Sequence, residues 1–168
     1  MKLLDRSGIR ADHYTRTDVA GLAEVAQPLL PLAELEAGLA AANGQIGVEI
    51  GNTTRAETLA PHLARLSLVA IAFPSFADGR GFSIARRLRR AGFAGTLRAV
   101  GPLIADQFAY ALACGFDEIE LPDAHAERQP FAQWQKAGET ISSTYQRGYQ
   151  AGGNILDQRR AARKAGGQ

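Results

Sequence analysis

The residues best equipped for chemistry lie in one block, Asp78-Gly79-Arg80-Gly81-Phe82-Ser83. The apolar run Leu68-Val69-Ala70-Ile71-Ala72-Phe73 precedes it and an arginine-rich segment follows. That order reads as buried strand, loop and helix. The first turn of a helix carries unpaired backbone N–H groups and the positive end of its dipole, so the junction favours an anion. Gly79 and Gly81 permit positive φ and close approach of the backbone to a ligand. Arg80 offers a planar fork that matches phosphate, sulfite or carboxylate. The expected ligand site is therefore Asp78, Gly79, Arg80, Gly81 and Ser83, with Arg98, Asp106 and Gln107 from the following strand and its loop. A structural reading competes with it. In that reading Ser83 and Asp106 cap helices, Asp78 bonds local backbone, and Arg80 is solvated.

Other residues divide in the same way. Arg98 sits in a strand expected to be buried on both faces, so it needs an anionic partner, and Glu49 or Glu120 on neighbouring strands could supply one. Arg86, Arg89 and Arg90 share a helix face, which suits either solvent or an acidic protein partner. Cys114 precedes Gly115 at a helix end, where no dipole lowers a thiol pKa. It reads as a packed residue; a redox role requires a second cysteine from another molecule. His13, His62 and His125 are scattered without ligand spacing, so no metal is expected. The glycine pattern lacks the third glycine of a dinucleotide fingerprint, and no Gly-Lys-Ser phosphate loop occurs.

These residues must be positioned by a chain of 168 residues, 46% hydrophobic and 21% charged, which is ordinary globular composition. No apolar run is long enough to span a membrane, and the N-terminus lacks the apolar region of a signal peptide. With one cysteine, a cytoplasmic setting is expected. The formal charge is only +2, and its basic excess sits in Arg147, Arg159, Arg160, Arg163 and Lys164 near the C-terminus. A basic body is absent, so nucleic acid is not an expected partner.

Along the chain, Ser7-Gly8 marks a small hairpin in an N-terminal arm, residues 1–27. From residue 28, strand candidates at 29–30, 46–50, 68–73, 97–100 and 116–121 alternate with helical stretches. Asn52, Thr53 or Thr54 is expected to cap one of these helices, Pro61 to disturb it, and residues 131–149 to form the last. Alternation of this kind predicts an α/β domain over 28–147: an open, mostly parallel sheet of about five strands with helices on both faces, in flavodoxin-like order. An incomplete barrel-like sheet is the alternative. Residues 148–168 read as a basic, flexible tail.

Three segments together carry a resemblance: FPSFADGRGFSIARRLRRAGFAGTLRAVG, DQFAYALACGFDEIEL and Thr144-Tyr145-Gln146. Over roughly residues 28–147 the chain resembles the bacterial domain of unknown function family 934. The resemblance implies a place in assimilatory sulfite reduction. One form is an accessory protein that binds sulfite reductase or its electron donor. The other is an oxidoreductase with a bound redox cofactor such as flavin. Where the family pattern has an arginine before the cysteine, this chain has Ala113, which removes one charge from that site. A fainter resemblance to receiver domains carries over the fold and not phosphotransfer, because Ala70 stands where their phospho-acceptor aspartate would be. It implies a third form, a degenerate receiver-like protein-interaction domain outside sulfur metabolism.

Overall fold

The computed structural model describes residues 1–139. The expected alternation is present. Strands β4 (Pro28–Pro31), β5 (Ile46–Ile50), β6 (Leu66–Ala72), β7 (Thr96–Val100) and β8 (Glu118–Leu121) pair in parallel. Three further strands come from the N-terminal arm: β1 (Lys2–Asp5), β2 (Ile9–Arg10) and β3 (Thr15–Arg16). The sheet is therefore mixed and eight-stranded, in the order β2-β1-β8-β7-β6-β5-β4-β3. This corrects the expectation of about five strands. The Ser7-Gly8 hairpin does form: Asp5 accepts from the Ser7 and Gly8 amides, and β1 lies antiparallel between β2 and β8.

The flavodoxin-like order is also corrected. Strands β4 to β8 follow one another without reversal. Successive right-handed crossovers in one direction place every connection on the same face. One core accordingly joins Leu30, Val48, Val69, Leu97 and Ile119 of the sheet to Leu35 of α1 (Leu35–Ala41) and Leu88 of α2 (Arg80–Arg90). The same core takes in Leu112 of α3 (Phe108–Cys114), Ala126 of α4 (Asp123–Arg128) and Trp134 of α5 (Phe131–Glu139). Among the described residues, the opposite face carries a small apolar cluster, Leu29, Leu68, Ala70 and Val100, covered by Tyr14. Among the described residues, helices on both faces are thus replaced by helices on one and the arm on the other.

The sheet is curled. Five strand spacings separate β3 from β8, roughly 24 Å across a flat sheet. Yet Arg16 of β3 reaches the Glu120 carboxylate of β8 at 2.8 and 2.9 Å. The alternative expectation, an incomplete barrel, fits this shape.

Local corrections follow from chain chemistry. Residues 56–65 form two 3-10 stretches rather than a capped α-helix, with Pro61 at the start of the second. Helix α2 begins at Arg80, so Ser83 lies inside its first turn and is not the cap. Residues 123–128 form a further short helix after β8. No helix among the described residues is long and apolar enough to cross a membrane. The expected tail, the end of the last helix and Thr144-Tyr145-Gln146 lie outside the described residues.

Candidate functional site

The carboxyl ends of the parallel strands gather three loops. Asn52 follows β5, residues 74–79 follow β6, and residues 101–107 follow β7. Asp78 is the hub of the middle loop. Its carboxylate accepts from Arg80 Nη2 at 2.6 Å, Arg80 Nε at 2.9 Å, the Arg80 amide at 3.2 Å and Asn52 Nδ2 at 2.7 Å. The hydrogen bonds from Arg80 hold Asp78 far below the usual carboxylate range and outweigh burial. The fork expected to seize an anion therefore already grips a carboxylate two residues away. An oxyanion at this loop competes with Asp78 for the same guanidinium.

The glycines have packing reasons. Gly79 has φ −82°, outside the left-handed region. A Cβ on Gly81 would stand 2.4 Å from the Phe73 ring, so Gly81 lets α2 settle onto Phe73. Gln107 ties the loops together: its Nε2 donates to the Phe76 carbonyl at 2.8 Å, and its Oε1 accepts from the Ile104 amide at 3.3 Å. Ile104 caps the 3-10 turn Ala105–Gln107, and Asp106 stands exposed in that turn. Asp78, Arg80 and Gln107 are thus brought to one rim.

Arg98 belongs to a different place, the inner face of the curled sheet. It is 1% exposed. Its guanidinium binds Asp12 through both Nη atoms at 2.7 and 2.8 Å, Glu118 through Nε at 2.8 Å and Glu120 through Nη1 at 3.1 Å. Arg16 adds Glu49 at 2.7 Å to its bidentate grip on Glu120. Burial works against the charge of Arg98, and the hydrogen bonds to Asp12 and Glu118 more than restore it, keeping the group cationic. Burial pushes the Glu118 carboxyl up despite Arg98. Asp12 also feels burial, but Arg98 and the Tyr14 amide bring it below its ordinary value. Glu120 fulfils the expected partnership with Arg98, whereas Glu49 serves Arg16. Glu118 was readable by alternation, since Glu118-Ile119-Glu120-Leu121 puts both carboxylates on one face. Asp12 and Arg16 had no comparable local signal.

The arginines of α2 have separate roles. Arg89 is internal bracing: it donates to the carbonyls of Gly115, Phe93 and Gly95 and to Asp117. A Cβ on Gly115, already at φ +104°, would meet Arg89 Cγ at 2.6 Å. Arg86 lies over the Tyr110 ring at 5.3 Å, and Tyr110 stands edge-on to Phe82 with centroids 5.0 Å apart. Arg90 is exposed at the end of α2. Cys114 is buried beneath Arg86 and Tyr110. Burial pushes its thiol up, and the positive charge of Arg86 does not reverse this. Tyr110 is 45% exposed, and Phe76, on the loop held by Gln107, is 52% exposed. Neither aromatic was singled out as a site residue from the sequence. The Pro-Ser-Phe-Ala loop, with apolar bulk where a turn needs none, was the available signal.

No curated protein and no solved structure matches the chain. A family model does, over residues 47–155, about two thirds of the chain, and the match contains the rim loops, Arg98, α2 and Cys114 but not Asp12 or Arg16. By that match the chain belongs to the family described as Bacterial protein of unknown function (DUF934).

Proposed function

We propose that this chain is an accessory protein of assimilatory sulfite reduction that docks on sulfite reductase or its electron donor. The docking surface is Phe76, Arg86 and Tyr110, with Arg90 at its rim. The observation that carries this reading is the exposure of Tyr110 under the Arg86 guanidinium and of Phe76 on the loop that Gln107 braces. Large apolar side chains left in water are informative when clustered. Aromatic residues and arginine are also the types that dominate binding energy at protein interfaces. The aromatics are held in place, because Gln107 fixes the Phe76 carbonyl and Phe82 supports Tyr110. A cationic rim selects an acidic partner surface and makes association sensitive to salt. The link to sulfite reduction comes from the resemblance in sequence.

The test is direct binding of the purified full-length chain to purified sulfite reductase and, separately, to its electron donor. Association with one of them is expected, weakening as salt rises from about 0.05 M to about 0.3 M. Phe76→Ala and Tyr110→Ala should each weaken it about tenfold, and Arg86→Glu by more. Phe76→Ala should leave thermal unfolding unchanged, while Tyr110→Ala also loses its packing on Phe82. Failure of the wild-type chain to bind either protein would overturn the assignment to sulfite reduction. Binding by the wild-type chain with equal affinity in all three variants would overturn the surface alone.

A further inference from the structure

The N-terminal arm crosses from one edge of the sheet to the other. Strand β2 lies outside β1 at one end of the order, and β3 lies outside β4 at the other, with only residues 11–14 between them. Alternate residues point inward: Asp12 to Arg98, Tyr14 to Gly47 and Arg98, and Arg16 to Glu49 and Glu120. The missing side chain at Gly47 makes room for the Tyr14 ring, since a Cβ there would stand 3.3 Å from Tyr14 Cδ1.

The attachment is polar. No residue from Ala11 to Arg16 is buried, and Tyr14 alone contributes an apolar surface to the cluster beneath. The short parallel pairing of Thr15–Arg16 with Pro28–Leu29 holds β3 in the sheet, with the Thr15 amide donating to Gln27 and the Thr17 amide to Leu29. On the sheet side, lifting the arm takes Arg16 from Glu49 and Glu120 and leaves Glu120 on Arg98. Arg98 keeps Glu118 at 2.8 Å and Glu120 at 3.1 Å, so lifting Asp12 away does not strand a buried guanidinium. A segment with few apolar contacts, above an Arg98 that keeps two carboxylates, opens locally at lower cost than the core.

We propose that residues 11–16 form a releasable strap that closes the curled sheet and controls access to its inner face. Release uncovers Leu29, Leu68, Ala70 and Val100 beside the outward-turned Nη atoms of Arg98.

Hydrogen exchange on the full-length chain tests this. The Thr15 and Thr17 amides are expected to exchange about 100-fold faster than those of Val69–Ile71, through an opening with little dependence on urea. Arg16→Gln should accelerate Thr15 and Thr17 about tenfold more and leave Val69–Ile71 unchanged. Should that variant fail to fold, Arg16→Lys keeps the charge but loses the fork, and a smaller acceleration is expected. The proposal is overturned if Thr15 and Thr17 share the rates and urea dependence of Val69–Ile71. It is equally overturned if both a folded Arg16 variant and the wild type exchange at the same rate there.

Discussion

Replacing Arg98 with methionine should destabilise the protein by about 3–5 kcal/mol near neutral pH, the range for breaking a buried ion pair by removing one partner. The cause is less the lost attraction than what remains: Glu118, Glu120 and Asp12 would face one another around an apolar side chain. Only Arg16 would be left to neutralise them, and it is committed to Glu49 and Glu120. The pH dependence identifies this mechanism. In the wild type, Asp12 is held below its ordinary value. Its stabilising contribution is therefore present above the unfolded carboxyl pKa, about 3.9, and is lost as pH falls through the lower folded value. Glu118 has the opposite sign: its folded pKa is raised, so its contribution fades as pH rises through that value. In Arg98→Met the second behaviour should dominate, because every deserted carboxylate moves upward. The variant should recover about 1–2 kcal/mol between pH 7 and pH 5, while the wild type changes far less. Urea unfolding at the two pH values measures both effects. A deficit under about 1 kcal/mol, or one that is equal at the two pH values, would show that the cluster is not electrostatically coupled as described.

The cluster also shows where reading from sequence stops. Period-two alternation exposes faces: Leu97-Arg98-Ala99 and Glu118-Ile119-Glu120 announce charges directed to one side of otherwise apolar strands. It does not announce neighbours. The order of strands depends on crossovers whose direction leaves no mark in composition, so a reversing, flavodoxin-like order and a monotonic curled one look alike along the chain. Strands β2 and β3 have two residues each, too short for any periodic signal. Asp12 meets Arg98 across 86 residues, and Arg16 meets Glu120 across 104. The Arg80 loop is a different case. Arg80, Asp78 and Gly81 were all visible, but their anion-binding potential depended on whether Asp78 would reach the guanidinium first. A separation of two residues across the start of a helix let it do so.

Gly101→Ala is the substitution expected to damage the rim itself. Gly101 has φ +141°, which a side chain rarely tolerates, and its added Cβ would stand 2.1 Å from the Phe73 carbonyl oxygen. Backbone opposes it there, so no rotamer change relieves the clash. Left-handed strain and overpacking each cost about 1–3 kcal/mol, giving an expected loss of about 3 kcal/mol or more in urea unfolding. The position also matters beyond stability. The Gly101 amide donates to Glu120, the Gly101 carbonyl accepts from Leu103, and the neighbouring Val100 carbonyl accepts from the Phe73 amide. Together these bonds draw the ends of β6, β7 and β8 under the loop that bears Phe76. Pushing Gly101 away from Phe73 shifts that loop relative to Gln107 and Tyr110. Gly101→Ala should therefore lose both stability and partner binding, whereas Phe76→Ala should lose binding alone. That contrast separates a residue that builds the surface from one that is the surface. A Gly101→Ala protein with wild-type stability would mean that the strand ends can part here without cost, and the braced rim on which the docking proposal relies would lose its physical basis.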